Sequence, residues 1–194
     1  MEESECWNTA SRLHDHGEAT KAMDVCLTAP CSAEVNCQRY LGWVYFRLGD
    51  TQKSLEWLSK AAEQGDGKAL FNIGGIYYGQ KRFDLAYQYF QSAVKSGNAR
   101  GYHWIAGMQL HGLGVELNLD KALSNYKHGA EHGYFAAERG YLHLLRQTGS
   151  FLTAVWAIGK LILFSVHVFV ILFRNKEDLR VVDLSMEVTN KMRI

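Results

Sequence analysis

The sequence predicts an all-α chain: a right-handed α-α superhelical solenoid of about four helix pairs, followed by one further helix that is transmembrane or membrane-embedded. Three observations carry that prediction. Pro30 is the single proline among 194 residues, and proline inside a helix removes a hydrogen bond and clashes with the preceding turn. The middle of the chain repeats with a spacing of 32 to 36 residues, in the range of helical repeat arrays. Residues 151–173 form an apolar run long enough to cross a bilayer.

Residues 1–33 are expected to form an N-terminal capping helix pair. Helical spacing runs roughly from Glu5 to His14 and from Ala19 to Ala29, around Gly17, but the residues match the later repeats poorly. A terminal unit of an array is atypical in that way. Cys6, Cys26, Cys31 and Cys37 all fall in the first 37 residues. An even number permits two disulfides in an oxidising compartment, while buried structural thiols are the plainer reading. The absence of any Cys-x-x-Cys pair argues against a metal. The acidic start, Glu2, Glu3 and Glu5, does not resemble a cleavable secretory signal, so the soluble part is expected to begin in the cytoplasm.

Residues 34–150 carry the repeat. KSLEWLSKAAEQG (Lys53 to Gly65), LAYQYFQSAVKSG (Leu85 to Gly97) and KALSNYKHGAEHG (Lys121 to Gly133) align without gaps. Each places small residues (Ala61 and Ala62, Ala93 and Val94, Gly129 and Ala130) just before a terminal glycine. Small residues let a neighbouring helix approach, and the glycine takes the left-handed conformation that ends a helix. A preceding helix repeats too: Leu41-Gly42 with Tyr45 recurs as Ile73-Gly74 with Tyr77, and less faithfully as Ile105-Ala106 with Gln109. The third turn is longer, Gly112-Leu113-Gly114-Val115 before Asp120-Lys121-Ala122. A fourth first helix is predicted from Tyr134 to Gln147.

Taken together, Leu-Gly, Tyr, Gly-x-Gly-Val, Asp-Lys-Ala and Ala-Ala-x-x-Gly resemble the Sel-one-like repeat family, related to tetratricopeptide repeats, over about residues 34 to 147. The first two units have shorter turns, nearer tetratricopeptide length, and the third departs at Ala106 and Gln109. The resemblance implies a non-catalytic module that binds protein partners.

Residues 151–173 are apolar on every side. At about 1.5 Å per residue the run spans roughly 34 Å, against a hydrocarbon core of about 30 Å. Lys160 opposes insertion by about 2.5 to 3.5 kcal/mol, but the Leu, Ile, Val and Phe residues around it contribute about 0.3 to 0.6 kcal/mol each. Lys160 and His167 lie on one helical face as intramembrane polar groups able to meet a partner membrane protein. Arg174, Lys176 and Arg180 follow the run, and Arg139 and Arg146 precede it, a slight preference for a cytoplasmic C-terminus. That conflicts with cytoplasmic repeats in a single-span chain unless the run is re-entrant, interfacial, or the soluble part is exported. The expected placement is a bacterial inner membrane with the repeats cytoplasmic, and residues 174–194 form a charged juxtamembrane tail.

Chemistry is sparse. His128 and His132 share a helix face at ligand spacing, but His-Glu-x-x-His is absent, as are nucleophile-elbow and phosphate-loop motifs. No enzyme, metal or cofactor is predicted. A formal charge of +1 gives no footprint for nucleic acid. The first helix of each pair instead offers an aromatic and basic stripe for a protein partner: Arg39, Trp43 and Phe46, then Phe71 and Tyr78, then His103, then Arg139, His143 and Arg146. Aromatic and arginine side chains concentrate interface affinity. The leading expectation is a membrane-anchored adaptor that recruits a protein to a membrane complex. The alternatives are a non-catalytic integral subunit of a membrane enzyme or transporter, and a toxin-blocking immunity protein.

Overall fold

The computed structural model describes residues 5–148, 155–156, 158–163 and 165–166. Among these residues all regular structure is helical, and the chain divides into two compact units, Met1–Asn98 and Ala99–Ile194. The first unit contains α1 (Glu5–Asp15), α2 (Ala19–Leu27), a 3-10 turn (Cys31–Ala33), α3 (Val35–Arg47), α4 (Thr51–Glu63), α5 (Gly67–Gly79) and α6 (Phe83–Lys95). The second contains α7 (Arg100–His111), α8 (Leu119–Glu131) and α9 (Phe135–Thr148). Consecutive helices pack as pairs: α1 with α2, α3 with α4, α5 with α6, and α7 with α8.

The repeated glycines end helices as their spacing predicts. Gly65, Gly97 and Gly133 sit at φ +85°, +84° and +76°. The residue after each donates its N–H five positions back: Asp66 to the Ala61 carbonyl, Asn98 to Ala93, and Tyr134 to Gly129. This closes the orphan carbonyls that every helix end leaves. The next helix starts at once, and Asp66 caps α5 by accepting from the N–H groups of Lys68 (2.7 Å) and Ala69 (2.8 Å). Asp50 caps α4 and Asn118 caps α8 in the same way, through the N–H groups of Lys53 and Lys121.

Within the α3–α4 and α5–α6 pairs, a glycine on the first helix receives a large residue from the second. A Cβ added to Gly42 would lie 2.5 Å from Leu58, and one added to Gly74 would lie 2.8 Å from the Phe90 ring. Leu58 and Phe90 are fully buried, each worth about 1.5–3 kcal/mol in apolar burial. The Ser54 hydroxyl, buried in the same seam, donates to the Gly42 carbonyl at 2.7 Å. In the second unit Tyr126 lies against Gly140, where a Cβ would approach within 2.5 Å, and Gly129 lies against Ala137 at the same distance. The longer third turn carries Gly112 and Gly114 at φ +65° and +66°, so its glycines shape a turn between helices.

The expected membrane segment falls mostly outside the described residues: 149–154, 157, 164 and 167–194, including His167 and the tail. The described positions between 155 and 166 are helical, and Val155, Trp156, Ile158, Ile162, Leu163 and Val166 are exposed. Among the described residues no helix is long and apolar enough to cross a membrane. Lys160 is exposed, with Nζ 5.8 Å from the Trp156 ring centroid.

Candidate protein-interaction face

In the first unit the stripe centres on α3. Trp43 is 39% exposed, Phe46 51% and Leu48 69%. Trp43 is held in place from beneath: it stacks on Tyr40 (centroids 6.0 Å apart), meets the His14 ring edge-on at 5.4 Å, and has the Arg47 guanidinium 5.8 Å above it. His14 reaches the Tyr40 hydroxyl through Nδ1 at 3.1 Å, and Trp7 packs edge-on against Tyr40 at 5.9 Å. Tyr40 is buried, and that burial pushes its phenol pKa up. A rigid aromatic plate with one open face is the kind of surface that binds a partner at low entropic cost.

Arg39, read from sequence as part of the same stripe, is already engaged. Its guanidinium pairs with the Asp66 carboxylate and donates to Asn36 Oδ1 at 2.7 Å. The Asp66 side chain is only 8% exposed and caps α5 at the same time, so Arg39 ties α3 to the start of the next pair. The pattern that could have shown this is an acidic N-cap directly after the helix-ending Gly65, with an arginine on the preceding first helix.

One repeat later, Phe71 and Tyr78 are half-buried against Phe90 (5.5 Å) and Phe83 (5.3 Å). The position matching Trp43 is Gly75, around which nothing lies within 4 Å of an added Cβ. The stripe therefore has its bulk on α3 and open space on α5. In the second unit His103 is half-buried among Trp104, Tyr126 and Tyr134, Arg139 is half-buried, and His143 and Arg146 are exposed on α9. His143 Nε2 lies 3.1 Å from the Gln147 amide.

The histidine pair on α8 serves local contacts: His132 Nδ1 lies 2.8 Å from the His128 carbonyl, His128 Nδ1 lies 3.3 Å from Glu131, and both rings tilt against Tyr102 at 5.7 Å. Among the described residues no group of three or more His, Cys, Asp or Glu side chains is placed to hold a metal ion. Asp50 has its pKa lowered, chiefly by the hydrogen bond from the Lys53 backbone N–H, as befits a helix cap.

Sequence reasoning left the sulfur chemistry open. Cys6 and Cys31 form a disulfide joining α1 to the 3-10 turn, while Cys26 and Cys37 are free and fully buried.

The repeat geometry has a match among known families. Residues 35–66 and 99–134 match the Sel1 repeat, and residues 67–96, between them, match a tetratricopeptide repeat. The chain carries Sel1 repeats, with a tetratricopeptide repeat between them. A putative sel1-like repeat-containing protein of Acanthamoeba polyphaga mimivirus is 27% identical over 109 residues, covering 53% of this chain and 20% of that protein. The ERAD-associated E3 ubiquitin-protein ligase component HRD3 of Candida glabrata is 31% identical over 94 residues, 47% of this chain and 11% of that protein. The chain thus spans a small part of either relative. The Sel1 repeat protein of Oxalobacter formigenes superimposes with a TM-score of 0.65 at 25% identity, covering 72% of this chain and 60% of its own. The Escherichia coli protective antigen c5321 gives the same TM-score at 23% identity, over 78% of this chain and 36% of that one, a likeness of fold.

Proposed function

We propose that this Sel1-repeat protein is a membrane-anchored adaptor that holds a protein partner on the α3 aromatic face and keeps it at a membrane complex. The observation that carries the partner-binding half is Trp43 and Phe46, three positions apart on one helix face and open to solvent at 39% and 51%. A buried Tyr40 and the His14 ring brace Trp43 from behind. The relative HRD3 is by name a component of a ligase assembly, which supports a role inside a larger complex.

The anchoring half rests on the run at 151–173, where Val155, Trp156, Ile158, Ile162, Leu163 and Val166 are exposed and so require a cover of lipid or protein. The Cys6–Cys31 disulfide supports an oxidising environment for the first unit. With Arg174, Lys176 and Arg180 after the run favouring a cytoplasmic tail, it supports repeats that face away from the cytoplasm, the exported arrangement and not the cytoplasmic one.

The test compares three chains on carbonate-washed membranes, each solubilised and affinity-purified with partners identified by mass spectrometry: the full chain, a chain ending at Ser150, and the full chain with Trp43→Ala and Phe46→Ala. Truncation is expected to release the protein from membranes. The double variant is expected to stay on membranes, keep its helical circular dichroism and lose its stoichiometric partner. A full chain that washes off removes the anchor, and a double variant that retains the partner at the original yield moves the binding face elsewhere.

A further inference from the structure

The free cysteines carry an inference that is independent of what the repeats bind. Cys26 lies in the last turn of α2 and Cys37 in the first turn of α3, eleven positions apart in sequence, with their sulfurs 2.8 Å from each other. A formed disulfide needs about 2.05 Å, so the two sulfurs lie within about 1 Å of bonding distance. Both side chains are 0% exposed, walled in by Ala10, Ala22, Tyr40 and Leu41 of the same core. The Cys37 sulfur also lies 3.9 Å from Glu34 Oε2.

We propose that Cys26 and Cys37 form a second structural disulfide, so that the first unit is stapled twice: α1 to the 3-10 turn through Cys6 and Cys31, and α2 to α3 through Cys26 and Cys37. Three observations favour a structural bond over other uses of the pair. A metal would need further ligands, and among the described residues no third metal-ligating side chain completes a site. A redox sensor needs an accessible thiolate, whereas these thiols have no exposed surface. Burial also pushes both thiols above the usual thiol range, which makes them inert once folded and assigns bond formation to an earlier stage, when α2 and α3 are still open to solvent.

The step is a thiol–disulfide exchange with an external disulfide, either oxidised glutathione or the active-site disulfide of an oxidoreductase. One cysteine loses its proton and attacks that disulfide, forming a mixed disulfide and releasing one thiol of the donor. The second cysteine loses its proton and attacks the protein sulfur of the mixed disulfide, closing the Cys26–Cys37 bond and expelling the second donor thiol. Two protein thiols are oxidised and one donor disulfide is reduced to two thiols. The two protons released by the protein are those taken up by the departing donor thiolates.

The experiment uses the full chain in detergent, refolded in a buffer of reduced and oxidised glutathione, quenched in acid, unfolded without reductant, alkylated with iodoacetamide and mapped by peptide mass spectrometry. The proposal expects no alkylated cysteine and two cross-linked peptide pairs, Cys6 with Cys31 and Cys26 with Cys37. Alkylation of both Cys26 and Cys37 overturns it, whether or not Cys6 and Cys31 are bonded. A map with Cys26 joined to Cys6 or Cys31 also overturns it.

Discussion

The N-terminal helix pair and the two pairs that follow it sit in one compact unit but are held by different chemistry. In α3–α6 a glycine on the first helix meets a large residue on the second: Gly42 meets Leu58 and Gly74 meets Phe90. The starts of α4 and α5 are capped by Asp50 and Asp66. The α1–α2 pair has no such seam. Around Ala10, Ala22 and Leu41 its core is rich in sulfur and aromatic rings, with Cys6 bonded to Cys31, Cys26 against Cys37, and Trp7, His14, Tyr40 and Trp43 in edge and stacked contacts. A repeat buries its face against a neighbour on each side. Among the described residues the α1–α2 pair meets the repeats through the 3-10 turn and α3, and there covalent and aromatic contacts join it to them.

The largest effect should come from removing that covalent link. Cys6→Ala with Cys31→Ala is expected to destabilise the first unit by about 2–4 kcal/mol, the usual range for a native disulfide. The loss should be local: amide hydrogen exchange should quicken across α1 and α2 while α4–α6 keep their protection. Equal loss of protection through α6 would mean that the terminal pair and the repeats unfold as one cooperative block, and the contrast between them would lapse.

The repeat seam is probed by Gly74→Ala. The new methyl group would lie 2.8 Å from the ring of fully buried Phe90, and forcing extra volume into a packed core typically costs about 1–3 kcal/mol. Gly75→Ala is the control, because nothing lies within 4 Å of its added Cβ. Chemical denaturation should separate the two neighbours, with Gly75→Ala neutral or slightly stabilising in mid-helix. Equal behaviour would show that the seam yields easily and that helix propensity alone matters there.

The same contrast explains what was legible in the sequence. The repeat was readable because its signals are local and periodic: Gly65, Gly97 and Gly133 punctuate helices at fixed offsets, and Leu41-Gly42 and Ile73-Gly74 mark the seam. The sulfur pairing was not, because four cysteines within 37 residues allow several connectivities, and only the return of the 3-10 turn to α1 selects Cys6 with Cys31. Arg39 was placed on the stripe by the same spacing that placed Trp43. Periodicity gives the face but not the partner, and Asp66, twenty-seven residues on, claims the guanidinium. The exposed plate of Trp43 and Phe46 followed from spacing alone, whereas its bracing by His14 depends on a contact between α1 and α3 that no local pattern encodes.

The smallest expected effect concerns a departure from the repeat's own rule. The turns after α1 and α3 carry Gly17 and Gly49 at φ +81° and +82°, but the turn after α5 carries Lys81 at φ +61°. A residue with a Cβ pays roughly 1–2 kcal/mol for that left-handed conformation, and glycine returns part of the gain through its freer unfolded chain. Lys81→Gly should therefore stabilise the first unit by about 0.5–1 kcal/mol, read as a higher denaturation midpoint with an unchanged slope. Lys81→Ala separates the causes, since it removes the charge and the long side chain but keeps the Cβ. If alanine stabilised as much as glycine, the strain would lie in the lysine side chain, and the glycine rule of the other two turns would not explain this one.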